Sequence, residues 1–357
     1  MKHSGALAHL RLLCSLGLGA EAVVPALLRA LRPLVPSDSG AFFWVDANGD
    51  MTHMYAERML PAAVTQRYFK RHYEGAMHAF RARVLAQARA KEITRETCVD
   101  EATQASEYFR EVLVPLGAFR TLHAVVQDHG APLALLSLYR PQGAPAFTAA
   151  QREIVATLCR YLQGALRGAE AEAAATQFRE SGEAALLVCA DDGTVAQASG
   201  RGHALLAQAS GCRINRYTMT GELEQAGRSL LRRVLGSGTA PRAATDLPMP
   251  DAQVVNEWGL FRLRAYPLAS GYGVLIERHE HLLLRLVDAM RSLKLSAQQR
   301  EVALLLARSL SNPQIARRLA ISLNTASYHV KQLFAKLDAH DRAGVVARIL
   351  EGHTTRH

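Results

Sequence analysis

The sequence predicts a multidomain α+β chain closed by an all-α C-terminal unit. Three observations carry this. Hairpin signals pair β-rich runs in two separate regions, and each region also holds helical stretches. The final part of the chain shows only helical periodicity, punctuated by cap residues at short intervals. The length, 357 residues, suits about two or three domains at ~100–200 residues each. The divisions that follow are 1–169, 170–280, a helical connector 281–294, and 295–357.

The first region opens with helices over about 6–16 and 20–34, where Leu10, Leu13, Leu16, Leu27, Leu28 and Leu31 keep helical faces. In AFFWVDANGDMTHMYAE, residues 41–57, two β-rich runs flank Asn48-Gly49-Asp50, a hairpin turn. A helical stretch follows over about 62–90. Residues 121–128 and 133–140 read as paired strands joined across His129-Gly130-Ala131-Pro132. Thr148 can cap an exit helix carrying Ile154, Val155, Leu158, Leu162, Ala165 and Leu166 at helical spacing. This order, and above all SLYRPQGAPAFTAAQREIVATLCRYLQGAL, resembles a GAF sensory domain. The resemblance implies a small-molecule effector held in a pocket between sheet and helices. Trp44, Tyr55, His123 and Tyr139 are the ligand-binding candidates. Against them stands the ordinary role of strand aromatics and of a lone strand histidine, which is structural.

The second region pairs strands through ALLVCADDGTVAQAS, residues 185–199, then a helical HALLAQAS. Two β-rich runs, WGLFRLRAYPL and YGVLIERHE, follow around Ala269-Ser270-Gly271. Phe261, Leu263 and Ala265 alternate with Arg262 and Arg264, the pattern of a sheet with one wet face. The region resembles a PAS domain, with Trp258 a further ligand candidate and residues 236–250 a Gly/Pro-rich loop. Residues 169–175 read as a helical linker. In the connector, Leu283, Leu286, Val287, Met290 and Leu293 form one stripe. That stripe fits packing on its own domain and a dimer-forming signalling helix equally well.

Charge is unevenly placed. From Arg291 onward eleven Lys/Arg face four Asp/Glu, so this stretch holds +7 of the chain's +10. Such a segment suits a polyanion, nucleic acid or an anionic membrane. Cys14, Cys98, Cys159, Cys189 and Cys212 are odd in number and widely spaced. They read as buried reduced thiols in a cytoplasmic protein, with neither disulfide framework nor metal site. No run of about 18 apolar residues is long enough for a transmembrane helix. Enzyme signatures (a phosphate loop, HExxH, GxSxG) are missing, so no catalytic residue and no cofactor is expected.

The tail reads SLSNPQIARRLAISLNTASYHVKQLFAKL from Ser309. Ser296/Gln299 and Ser311/Gln314 are S-x-x-Q capping boxes, and Pro313 sits in a first turn where its missing N–H costs little. Ala320-Ile321-Ser322 is the turn, and Ser322 the next cap. The helix of residues 323–337 buries Leu323, Ala326, Val330, Leu333, Phe334 and Leu337 on Ile315, Ala316 and Leu319. It turns Asn324, Ser327, Tyr328 and Lys331 outward at i, i+3, i+4 and i+7. A helix of this kind fits a major groove. Asp341 starts a fourth helix bearing Val345, Val346 and Ile349.

The segment resembles the LuxR-type (GerE-like) helix-turn-helix family. The shared anchors are Leu295-Ser296, Arg300-Glu301-Val302, Leu310-Ser311-Asn312, Ile315-Ala316, Leu319, Ile321-Ser322, Asn324-Thr325, His329-Val330, Lys336-Leu337 and Arg342. The resemblance implies a four-helix DNA-binding domain with its motif at 312–331. It implies a homodimer formed partly through the fourth helix, with duplex DNA and RNA polymerase as partners. The DNA-binding set is Asn324, Thr325, Ser327, Tyr328, His329, Lys331, Lys336 and Arg342, with Lys331 on phosphate. Three departures matter: Gln298-Gln299 stands where the family usually has Arg-Glu after the first cap, the family's usual glycine before the second helix is Ser309, and its Thr-Val-Lys is Thr325-Ala326-Ser327, so a usual phosphate lysine is Ser327. The expected function is therefore a DNA-binding transcription regulator answering to a small molecule or partner. The alternative is a sensory adaptor that works by protein contacts through a DNA-binding-impaired tail.

Overall fold

A computed structural model describes residues 2–60, 71–167, 177–215, 222–236 and 251–354. The expected linker at 169–175, nearly all of the expected loop at 236–250 and the first turns of the helix expected from 62 lie outside the described residues.

The elements run α1 Lys2–Cys14, α2 Ala20–Leu31, β1 Ser39–Val45, β2 Met51–Ala56, α3 Tyr73–Arg89, β3 Thr94–Cys98, β4 Arg120–Asp128, β5 Ala131–Arg140 and α4 Ala149–Arg167. Short helical turns between Glu101 and Leu116 join β3 to β4. Next come β6 Phe178–Cys189, β7 Val195–Ala198, α5 Gly202–Ser210, α6 Glu222–Gly236, β8 Asp251–Asn256, β9 Gly259–Pro267 and β10 Tyr272–His281. The C-terminal helices are α7 Leu282–Ala289, α8 Ala297–Ala307, α9 Asn312–Leu319, α10 Leu323–Leu337 and α11 Arg342–Thr354.

Two five-stranded sheets form, ordered β2-β1-β5-β4-β3 and β7-β6-β10-β9-β8, with every pairing antiparallel. Counted within each region the two orders are the same. This repeat of topology has no counterpart in sequence self-similarity. Strands β3 and β8 and helix α6 were not foreseen, because β3 (TRETC) and β8 (DAQVVN) are short and polar.

Period-two alternation gives the first sheet two distinct faces. Phe42, Leu122, Ala124, Leu136 and Leu138 are buried in the core shared with α1, α2 and α4. Val45, Val125 and Leu135 face the other way and pack under Phe80, Val84 and Ala88 of α3. The second sheet buries Phe261, Leu263 and Ala265 while Arg262 and Arg264 stay on its wet side, paired with Asp251 at 3.4 Å and Glu277 at 3.6 Å.

The connector helix α7 continues straight from β10 and packs against α1, α8 and α11 of its own chain. Leu286, Val287 and Met290 are wholly buried there. Leu283 and Leu293, the other two residues of the stripe, are half-buried. The cysteines also need correction. Cys14, Cys159 and Cys189 are buried free thiols, but Cys98 is exposed at the end of an edge strand and Cys212 half-exposed beyond α5. Among the described residues no helix is long and apolar enough to cross a membrane.

Candidate functional site

In the C-terminal unit each helix start is fixed by a cap. Gln299 N donates to Ser296 Oγ at 3.2 Å, and Ser296 N returns a bond to Gln299 Oε1 at 3.0 Å. Ser311 N donates to Gln314 Oε1 at 2.7 Å, and Thr325 N to Ser322 Oγ at 3.1 Å. Between α9 and α10 the chain turns through Ala320 at φ 52°, and Ile321 N donates to Ala316 O at 3.0 Å. Ile315 and Ala316 are buried opposite Ala326, Val330 and Leu333. The small alanines at 316 and 326 let the two helices approach closely.

That packing aims the outer side of α10 at solvent. Asn324 and Lys331 are exposed, and Tyr328 is 58% exposed, a large accessible area for an aromatic ring. Its ring meets the His329 ring edge-on at 5.6 Å. Other expected residues have work inside the domain. Ser327 Oγ accepts from Asn312 Nδ2 at 3.3 Å, Thr325 joins the Ser322 cap, and Lys336 Nζ donates to Gln299 Oε1 at 3.2 Å. Arg342 is half-buried and donates to Leu310 O and to Asn312 Oδ1, the latter at 2.8 Å. It ties the start of α11 to the α8–α9 loop. One inward assignment is corrected: Leu323, in the first turn beyond Ser322, is 50% exposed.

Helix α11 buries Val345 and Ile349, with α7 and α8 packed against it. The domain also touches the N-terminal region, where Arg308 donates to Leu16 O.

A cavity of about 1050 Å³ lies on the α3 side of the first sheet and reaches the second region, whose Thr194, Leu206, Ile214 and Arg228 also line it. Of the four ligand candidates, His123 and Tyr139 line it. Trp44 and Tyr55 are not among its lining residues. Both belong to the register of Phe42, on the opposite sheet face, where they pack on Trp258 at ring separations of 6.1 and 5.6 Å. Trp258 itself is 4% exposed at this junction between the two regions. Alternation decides the split: Trp44 and Tyr55 fall on one parity of the β1/β2 register, His123 and Tyr139 on the other through β4 and β5.

His123 Nδ1 lies 3.1 Å from Ser137 Oγ, and its Nε2 lies 3.1 Å from Arg83 Nη1 and 3.2 Å from Thr97 Oγ1. Arginine only donates, so Nε2 accepts and the imidazole is the Nδ1–H tautomer. Burial, then Arg83 and Arg95, push His123 down to about 3, so the ring is neutral. Burial also pushes the Tyr139 and Tyr108 phenols up. Arg83 escaped the sequence reading. It stands at the edge of the α3 stripe Met77, Phe80, Val84 and Ala88, and that position was the one signal available.

Residues 293–349 match the family model described as GerE, bacterial regulatory proteins, luxR family. A 53-residue stretch is 47% identical to the "Probable transcriptional regulatory protein SgaR" of Hyphomicrobium methylovorum, covering 15% of this chain. The chain thereby spans a quarter of that relative's length, 25%. Among solved structures, a Vibrio cholerae VqmA dimer without target DNA aligns at 14% identity over 48% of this chain and 84% of that one, TM-score 0.17. The sensor region of a sensor histidine kinase aligns at 13% identity over 72% and 90%, also at TM-score 0.17. Scores this low bear no weight for the fold. The family match and the capped helices agree on one assignment: residues 293–349 are a LuxR-type helix-turn-helix domain.

Proposed function

We propose that the chain is a sequence-specific DNA-binding transcription regulator whose N-terminal half answers to a small molecule. The observation that carries the reading is the docking of α10: Val330 and Leu333 are buried on its inner side while Asn324, Tyr328 and Lys331 stand in solvent on the other. Side chains so placed can reach base edges and phosphates in a major groove. The basic charge of the tail supplies the sequence-independent attraction.

The cavity in the first sheet supports a sensory role for that half, in keeping with a GAF-like first region and a PAS-like second. The path from cavity to DNA is short. The first region touches the helix-turn-helix through Leu16 and Arg308, and β10 of the second region runs directly into α7. Ligand binding would change this packing and so the presentation of α10, in a homodimer whose two recognition helices must match half-sites about one helical turn apart. Because α11 already packs on α7, pairing of fourth helices uses the outer side of α11 around Ala347 and Arg348, both exposed.

The adaptor reading draws on Ser327, whose hydroxyl is engaged by Asn312 where a phosphate lysine is usual. Selection of random duplexes with the full-length protein at low ionic strength separates the two. A regulator enriches a defined motif, and Tyr328→Ala relaxes it at one position. An adaptor retains no duplex at all, and that outcome would end the regulator reading.

A further inference from the structure

The cavity holds one cation whose charge nothing in the described chain answers. Three arginines line it: Arg58, Arg83 and Arg228. Arg58 pairs with Asp38 at 2.9 Å, and Arg228 with Glu224 at 3.4 Å. Asp100, also lining the cavity, is occupied at a helix start, where its Oδ1 accepts from Thr103 N at 2.7 Å. Arg83 has only the neutral His123 ring as a hydrogen-bond partner among the described residues. Arg95 is a second cation nearby, already paired with Glu92.

A half-buried guanidinium has five N–H donors and is costly to hold in an apolar site without an anion. Burial accordingly lowers Arg83's affinity for its proton. The surroundings are arranged to keep that charge on Arg83 and off its neighbour. Ser137 fixes the tautomer of His123 that presents a lone pair, and Thr97 closes the other side of Nε2. Thr121 and Tyr139, directly paired across β4 and β5, add hydroxyls on the same floor. Most of the remaining wall is apolar, with Phe43, Met54, Met77, Phe80 and Phe119 among its members.

From this geometry we propose that the cavity binds an organic acid: one carboxylate on Arg83 beside the His123–Ser137–Tyr139 floor, and an aliphatic or aromatic body against the methionine- and phenylalanine-lined wall. The proposal rests on the reading of this half as an effector site and adds the ligand's class. A phosphate ester is disfavoured. Its double charge calls for more than one unpaired cation, and Arg58 and Arg228 are already neutralised. The size is right for a molecule of drug-like dimensions, for which pockets of about 300–1,000 Å³ are usual.

The test is calorimetric titration of the full-length protein with octanoate, decanoate and 4-phenylbutanoate, each against its primary amide, and with phenyl phosphate. The acids are expected to bind at least about tenfold more tightly than their amides, as a charge-assisted pair against a largely apolar wall requires. In Arg83→Gln, checked for an unchanged circular dichroism spectrum, that preference should collapse while amide binding persists. Equal binding of acid and amide by the wild type would overturn the carboxylate assignment and leave the effector reading standing. Tighter binding of phenyl phosphate than of the acids would overturn it too. A preference surviving in Arg83→Gln removes Arg83 from the site. If neither acids nor amides bind, the proposal and the effector reading of this cavity fall together.

Discussion

Arg29 on α2 lies 2.9 Å from Glu280 at the end of β10 and so bolts the first region to the strand that leads into α7. The same guanidinium reaches Glu183 at 3.4 Å, and Glu183 in turn holds Arg278 at 2.7 Å and Arg201 at 2.6 Å. Arg278 spends its other donors on Trp258 O, and Arg201 reaches the Tyr55 hydroxyl at 3.3 Å. Burial alone raises both carboxyls. At Glu183 the three arginines outweigh it and hold the group low, while at Glu280 burial wins.

Removing Arg29 therefore leaves two buried carboxylates short of a cation. Breaking a fully buried pair costs about 3–5 kcal/mol. Arg29 is 43% exposed, so solvent screens part of this and about 1–2 kcal/mol is expected for Arg29→Met. Urea unfolding at neutral pH reads the loss as a lower midpoint. A midpoint equal to wild type would mean that the bridge contributes nothing.

Acid should loosen the same assembly. His9 is 6% exposed, facing Arg291, Asp288 and Arg300 across the seam with the C-terminal unit, and burial with Arg291 pushes it down to about 4. His53 is likewise pushed down to about 4 by burial and Arg213. Unfolded, each takes up its proton near pH 6.5. Between about 6.5 and 4 the unfolded chain binds the more protons, so folding free energy is full above that window and falls as pH drops through it. Each histidine adds a slope of up to about 1.4 kcal/mol per pH unit. Denaturant midpoints compared at pH 7 and pH 5 should show the decline, and His9→Gln should make it shallower. A decline just as steep in that variant would exclude His9 as a contributor.

How much of this could be read beforehand depended on whether the signal was local. Ser296, Ser311 and Ser322 were legible as caps because a cap is decided within four residues of chain. So were the Asn48-Gly49 hairpin and the alternation at Phe261, Leu263 and Ala265. Trp44 and Tyr55 could not be separated from His123 and Tyr139, since composition marks aromatics but only strand register says which face they share. Arg83 looked like an ordinary cation on the rim of an amphipathic helix. That no carboxylate among the described residues pairs with it is a property of the assembled cavity and of no single segment. Arg342 read as a groove contact because its matching position invites that, whereas the acceptors it satisfies, Leu310 O and Asn312 Oδ1, lie some thirty residues earlier.

Ser309 explains one departure from the family pattern and carries a prediction. It closes α8 with φ 62°, in the left-handed region, where glycine is the usual residue because a Cβ there is strained. Ser309→Gly should relieve that strain and raise stability by about 0.5–1 kcal/mol, less whatever glycine's freer unfolded chain gives back. Thermal unfolding of the full chain measures it. A lowered midpoint would show that the serine hydroxyl contributes more than the backbone strain removes.

Lys331 and Arg342 should separate when duplex binding is titrated with salt. Lys331 stands exposed on the outer side of α10, two residues beyond His329, and a phosphate contact there releases about one counterion. Lys331→Ala should weaken binding to every sequence alike and flatten the slope of log affinity against log salt by about one unit. Arg342 points its donors inward, so Arg342→Ala should leave that slope as in wild type. The half-buried acceptors it abandons cost at most about 1–3 kcal/mol of stability, reduced by partial exposure on both sides. Should Arg342→Ala flatten the slope while the unfolding midpoint holds, its guanidinium must swing out to phosphate in the complex, and the interface is wider than α10 alone.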